Sequence, residues 1–291
     1  MNNVGIENGG GPRLASDEAA VDRRNVMQRN GHADRDEASA TGVKSARRAI
    51  TLLEVFAANR SWLSLAEMHA ATGFPRSSLH GLLRTLRAAE WIECDETGTR
   101  FRLGVRALIC GTAYLDRDPA VPFATAVLER LRDDTGFTAH YARLSGTEVV
   151  YLETRESRRS DHLISRVGRT LPAHATALGK ALLAELADPE LADLLPPRLA
   201  ALTAHTRTDR DTLYAELGVV RERGYATERE EGTVGVACAA AAVPYRIPAT
   251  DAVSCSMPMD RVTAGEQHRI GAVLRDAAAE LARQLRRAGI R

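Results

Sequence analysis

A chain of 291 residues has room for two folded domains. Hydrophobic residues at 44% and charged residues at 26% are the proportions of an ordinary globular protein, and no apolar run approaches the roughly 20 residues of a membrane helix. The formal net charge of +1 gives no argument for nucleic acid, yet the stretch from Lys44 to Arg106 holds ten Lys and Arg against six Asp and Glu, a local balance of +4.

Residues 1–43 contain no Phe, Trp or Tyr and include Gly9, Gly10 and Gly11. Such a segment buries too little apolar surface to offset chain entropy, so it is predicted to be a disordered tail. It also lacks the apolar centre of a secretory signal. The four cysteines (Cys94, Cys110, Cys238, Cys255) form no CxxC pair, so neither a disulfide framework nor a zinc site is expected. A reducing cytoplasm fits that usage.

Order is expected from Lys44. Ala46, Ala49, Ile50, Leu53, Phe56 and Ala57 follow helical spacing. Ser64-Leu65-Ala66-Glu67 has the form of a capping box and predicts a short second helix to about Ala71. Thr72-Gly73-Phe74 then makes a turn, and Pro75 suits the first position of a third helix. On that helix Leu79, Leu82, Leu83 and Leu86 share one arc, and Arg76, Ser77, His80, Arg84 and Arg87 share the opposite one. One face is built to pack; the other presents three arginines, as an anion-binding surface would. Trp91–Asp95 and Arg100–Leu103 alternate like strands around Glu96-Thr97-Gly98-Thr99, which predicts a hairpin with Arg100 and Arg102 on one face. Three helices followed by a hairpin describe a winged helix-turn-helix over residues 44–104.

Val105, Leu108, Ile109, Thr112 and Leu115 predict a linker helix over 105–118, ended by Asp118-Pro119 and suited to an interface with a second subunit. In residues 119–291, helices are expected near Phe123–Thr135, His174–Leu186 and Asp209–Arg223, with a last one from about Ile270 to Leu285. Strands are expected at Phe137–Leu144, Glu148–Thr154, His162–Val167, Gly235–Val243 and Ala252–Met257. Hairpin-connected strands with helices to one side describe an α+β sensor domain.

A helix in the major groove puts the outward residues of its N-terminal half against base edges. Here those are Arg76, Ser77 and His80, with Ser78 beside them. Arg84, Arg87, Arg100 and Arg102 suit phosphates, which position the protein without reading sequence. In the second domain Ser254 and Ser256 alternate with Val253, Cys255 and Met257, so both hydroxyls face one side of a strand. Convergent hydroxyls in an apolar site suit a small polar ligand. A helix start near His174–Ala177 is expected to add backbone N–H donors for an anion.

The chain resembles the IclR family of bacterial transcription regulators from about Lys44 to Arg287. The resemblance is carried by Ala46–Leu53, by Thr72–His80, by Leu171–Ala184, and by Gly224–Glu231 with Gly235–Ala240. It departs at Gly81, where an Arg is common, and at Ala239–Pro244, where the usual Ala-Ala-Pro-Val is stretched. The resemblance implies a winged helix-turn-helix joined to a GAF-like effector-binding domain. It implies an operator on double-stranded DNA and a small acidic metabolite as effector. It also implies pocket residues Ala177, Leu178, Glu228, Cys238, Ser254 and Ser256, with Glu228 where many relatives have Asp. Two-fold half-site reading adds the expectation of a homodimer or a dimer of dimers. No cofactor, metal or membrane partner is expected.

Two other classes compete. A metabolite-transforming enzyme would need a nucleophile and base, and Cys238 with His174 supplies the residue types but no spacing signature. The glutamates at 228, 230 and 231 are better read as a solvated loop than as general acids. An architectural DNA-binding protein would need no effector, which the two serines argue against. The run Arg155-Glu156-Ser157-Arg158-Arg159 is expected at a solvated hairpin tip.

Overall fold

In the computed structural model, residues 42–59, 61–158 and 167–291 are described. The predicted tail therefore lies outside the described residues up to position 41, as does most of the predicted strand at His162–Val167. The chain divides into two compact units between Ala113 and Tyr114.

The first unit opens with α1 (Lys44–Ala58), which buries Leu52, Val55 and Phe56. The capping box then starts α2 (Leu65–Thr72): Ser64 Oγ accepts from the Glu67 N–H at 3.3 Å, and the Glu67 carboxylate accepts from the Ser64 N–H at 2.7 Å. Gly73 closes α2 at φ 68°, the left-handed conformation that glycine adopts without steric cost. Helix α3 (Arg76–Ala88) begins one residue later than expected, with Pro75 as its N-cap. Strands β2 (Ile92–Cys94) and β3 (Arg100–Leu103) form the hairpin, and an unforeseen strand β1 (Leu63–Ser64) pairs with β3 to give the order β1-β3-β2. Its core joins Leu52, Val55, Phe56, Met68, Leu79, Leu83, Leu86 and Ile92.

Helix α4 (Val105–Arg117) crosses the division and has no buried residue. Val105, Leu108, Ile109 and Tyr114 are exposed on it.

The second unit is built on a six-stranded antiparallel sheet. Its strands are β4 (Thr138–Ser145), β5 (Glu148–Arg155), β6 (Thr170–Pro172), β7 (Ala226–Arg229), β8 (Val236–Ala242) and β9 (Asp251–Pro258), in the order β6-β5-β4-β9-β8-β7. Helices α5 (Val121–Thr135) and α9 (Ala264–Arg287) pack on one face through Ala139, Tyr141, Ala237, Ala239 and Ala241. Helices α6 (Ala177–Leu183), α7 (Asp188–Leu194) and α8 (Arg210–Arg223) cover the other face through Ala142, Cys238, Ala240 and Ala252. The expectation of helices to one side is thus corrected: both faces are covered. Alternate residues of β8 enter opposite cores, and all of them are apolar or thiol.

Two further differences are local. The expected helix from His174 is a 3-10 turn over Ala173–Ala175, followed by α6 from Ala177. The turn packs so closely on Gly179 that a Cβ there would stand 2.1 Å from the Ala173 carbonyl oxygen. The charge run is also less solvated than expected. Arg155 pairs with Glu129 and Glu153, and Arg158 with Asp133; Arg159 lies outside the described residues.

Candidate functional site

Each unit carries a concentration of polar side chains. On α3 the packing face holds Leu79, Leu83 and Leu86, and the opposite face leaves Arg76, Ser77, His80, Arg84 and Arg87 exposed. Arg76, Arg84 and Arg87 make no ion pair among the described residues. Ser78 turns toward α1, where Arg48 donates to its hydroxyl at 3.2 Å. Beside this face a groove of about 600 Å³ runs between α3 and the hairpin. His80, Arg84 and Arg87 line one wall, Gly98 and Thr99 the other, over Leu65, Leu83 and Phe101.

The hairpin tip is ordered by one carboxylate. Asp95 accepts from the N–H groups of Thr99 and Arg100 and from the Thr97 hydroxyl, which holds its carboxyl below the usual range. The two hairpin arginines differ from those of α3. Arg100 donates to the Trp62 carbonyl at 3.2 Å. Arg102 pairs with Glu93 at 2.8 Å across the strands and lies over the Trp62 ring at 4.4 Å.

In the second unit a small cavity, about 20 Å³, lies between α6 and the sheet. It is lined by Ala177, Leu178, Glu228, Cys238, Ser254 and Ser256, together with Tyr151, Leu171, Thr176 and the loop after β7. All six residues singled out in the sequence therefore meet at one place. The strand register explains the convergence: Glu228 lies opposite Cys238, and Cys238 lies opposite Ser256.

The polar groups of this wall hold one another. The Cys238 thiol lies 3.4 Å from the Ser256 hydroxyl and hydrogen-bonds the Glu228 carboxyl. Ser256 Oγ is 3.2 Å from His140 Nε2, and His140 Nδ1 is 3.1 Å from the Thr154 hydroxyl. His140 is buried and meets the Tyr151 ring edge-on at 5.2 Å. Glu228 is buried rather than on a solvated loop, and it accepts from the Glu231 N–H at 2.9 Å. Burial pushes its carboxyl up to about 7, against the lowering effects of the Cys238 thiol and the Glu231 N–H. Glu231 is buried as well, bonded at 2.6 Å to Lys180, which is fully buried and also holds Glu216.

The expected anion donors at the helix start are fewer than foreseen. Helix α6 is short, and its Gly179 N–H is taken by Thr176 Oγ1 at 2.9 Å. His174 does not line the cavity: its Nε2 bonds the Ala200 carbonyl at 2.9 Å, and burial holds its pKa down. No group of His, Cys, Asp or Glu suited to a metal occurs among the described residues. His140 and Lys180 escaped the sequence reading. A histidine on an inward strand face, and a lysine inside the apolar run Ala177–Leu183, were the available signals.

A third cluster fixes the end of α4. Arg143 on β4 pairs with Asp118 at 2.6 Å and with the fully buried Asp251 on β9 at 2.5 Å, and it donates to the Tyr114 hydroxyl at 2.8 Å. Tyr245 also donates to Asp251.

Two family models match the chain: the IclR helix-turn-helix domain over residues 45–96, and the bacterial transcriptional regulator IclR C-terminal domain over residues 112–283. The transcriptional regulator XynR of Escherichia coli K12 is 33% identical over 245 residues, covering 84% of this chain and 97% of XynR. The transcriptional repressor IclR of the same strain is 30% identical over 251 residues, covering 84% and 91% of the two chains. The crystal structure of the Thermotoga maritima IclR superposes with a TM-score of 0.62 at 26% identity, over 83% of this chain and 98% of that one. These relatives are regulators, which decides against the enzyme alternative. The chain belongs to the IclR family and is a transcription regulator with a helix-turn-helix DNA-binding domain and an IclR effector domain.

Proposed function

We propose that this regulator reads an operator with the exposed face of α3 and that a small acidic metabolite in the α6 cavity alters that binding. Arg76, Ser77 and His80 contact base edges, with Ser78 beside them and steadied by Arg48. Arg84, Arg87, Arg100 and Arg102 contact phosphates. The support is electrostatic. Among the described residues the α3 arginines have no ion pair to give up when they meet phosphate.

Residues 44–104 are the DNA reader, 105–118 a linker and 119–291 the sensor. The protein acts in the cytoplasm as a homodimer or a dimer of dimers. The exposed apolar residues of α4 favour a subunit contact there.

One observation carries the effector reading. Ala177, Leu178, Glu228, Cys238, Ser254 and Ser256 come from four separate stretches of sequence and line one cavity. At about 20 Å³ that cavity has room for about one water, so a metabolite must part its walls. The wall strand β9 also carries Asp251, which pairs with Arg143 on the neighbouring β4, and Arg143 in turn holds Asp118 and Tyr114 at the end of α4. A ligand that favours a parted wall therefore biases the setting of the linker, and the population able to bind the operator shifts. A coupling of about 1–3 kcal/mol, roughly 5–150-fold in operator affinity, is the usual scale.

The test is the double variant Ser254→Ala/Ser256→Ala, assayed for operator binding with and without small organic acids that raise the melting temperature of the wild-type protein. The expected result is intact DNA binding and no response to the acids. A retained response would move the effector site elsewhere.

A further inference from the structure

The cavity wall has a feature that bears on which form of an acid it accepts. The one charged side chain lining it is itself an acid, Glu228. The nearby cation, Lys180, does not line it and is held by Glu216 and Glu231. Two carboxylates in contact at a buried site cannot both stay ionised, so one proton is retained between them.

The wall can also accommodate that proton. Thr154, His140, Ser256, Cys238 and Glu228 form one unbroken chain of hydrogen bonds across β5, β4, β9, β8 and β7. Each internal member can either donate or accept at each contact. With Glu228 ionised, Cys238 donates to Glu228, Ser256 to Cys238, His140 Nε2–H to Ser256, and Thr154 to His140 Nδ1. With the added proton shared between Glu228 and a ligand carboxylate, Cys238 still donates to the other Glu228 oxygen, so no contact of the chain is lost.

We propose that this wall is a proton-coupled carboxylate receptor: a carboxylate ligand binds as an acid–carboxylate pair with Glu228, one proton is taken up from solvent and held between the two carboxyl groups, and the Cys238 thiol goes on donating to Glu228. The inference rests on the cavity being the effector site. The groups facing Glu228 are the Cys238 thiol from β8, the Glu231 N–H and carboxylate from the following loop, and Lys180 from α6. Burial already holds the Glu228 carboxyl near 7, so the uptake falls within the physiological range.

The test is calorimetry on the full chain with acetate and its neutral counterpart acetamide, in two buffers of unlike ionisation enthalpy, from pH 6.5 to 8.5. The expected result for acetate is close to one proton taken up per site at pH 8, with affinity falling about tenfold per pH unit above the Glu228 pKa. Acetamide binding should take up none and should not vary with pH. Glu228→Gln should bind acetate without proton uptake or pH dependence. Acetate binding at full affinity with no proton uptake would overturn the proposal, as would acetamide binding alone. If neither compound binds at any pH, the cavity is not the effector site and the proposal falls with that reading.

Discussion

On α3, Arg76, Arg84 and Arg87 are exposed and have no ion pair among the described residues, whereas under α6 the polar groups of Glu228, Cys238, Ser256 and His140 already hold one another. The contrast follows from what each surface meets. A face that neutralises phosphates draws its affinity from released counterions and works best with cations that have no protein partner. A cavity wall shut off from water must satisfy its donors and acceptors internally, so any ligand has to exchange with bonds already made. Even within the first unit the rule separates side chains, since Arg102 is paired with Glu93 while Arg84 is not.

The largest expected effect breaks the buried side of the comparison. Lys180→Met removes a fully buried cation and leaves the buried Glu231 with only the more distant Arg207, which is 2.6 Å from Glu216 and 3.9 Å from Glu231. Urea unfolding should show a loss of about 3–5 kcal/mol. Arg84→Ala on the exposed face should change stability by no more than about 0.5 kcal/mol. Equal costs would contradict the division drawn here.

Next is pH. Folding raises the Glu228 pKa from the ordinary 4.5 to about 7, so its acid form is the one the folded state favours. The stability it contributes is complete below about pH 4.5 and is lost as pH rises through about 7, amounting to roughly 3 kcal/mol. Comparing unfolding of the wild-type protein and Glu228→Gln from pH 5 to 8 should expose that difference. Parallel curves would place Glu228 in water.

Arg76→Ala sharpens the exposed side. It should weaken operator binding by about 1–3 kcal/mol and relax preference at one base position. A competition assay against single-base operator variants reads both effects, and an unchanged preference would take Arg76 out of base reading. The smallest effect is at Gly81. A Cβ there meets nothing within 4 Å, so Gly81→Ala should stabilise α3 by about 1 kcal/mol. A lower melting temperature would mean that the helix needs glycine for a reason other than space.

The two regions also differ in how far the sequence discloses them. Helix α3 is legible because its signals are local: Ser64 with Glu67, Gly73, Pro75, and leucines against arginines over Arg76–Ala88. The cavity is legible only in part. Ser254 and Ser256 announce themselves by alternation, and Glu228 and Cys238 came through the family resemblance. His140 did not, because its partner Ser256 lies 116 residues away and nothing near position 140 reports it. Lys180 is tied to Glu231 across 51 residues and escaped for the same reason. The covering of both sheet faces was written in β8 but passed over. Val236–Val243 has no polar residue at alternate positions, which is the pattern of a strand buried on both sides. Helix α7 and strands β1 and β6 are too short to carry a periodic signal.

The central claim, that the exposed arginines of α3 meet the DNA backbone, is tested most directly by the salt dependence of operator binding. Fluorescence anisotropy with a promoter fragment from the gene's own neighbourhood should give a slope of log affinity against log salt that falls by about one for Arg84→Ala. Arg102→Ala should change it less, because Glu93 already neutralises that side chain. An Arg84→Ala protein with unaltered affinity and slope would contradict the account.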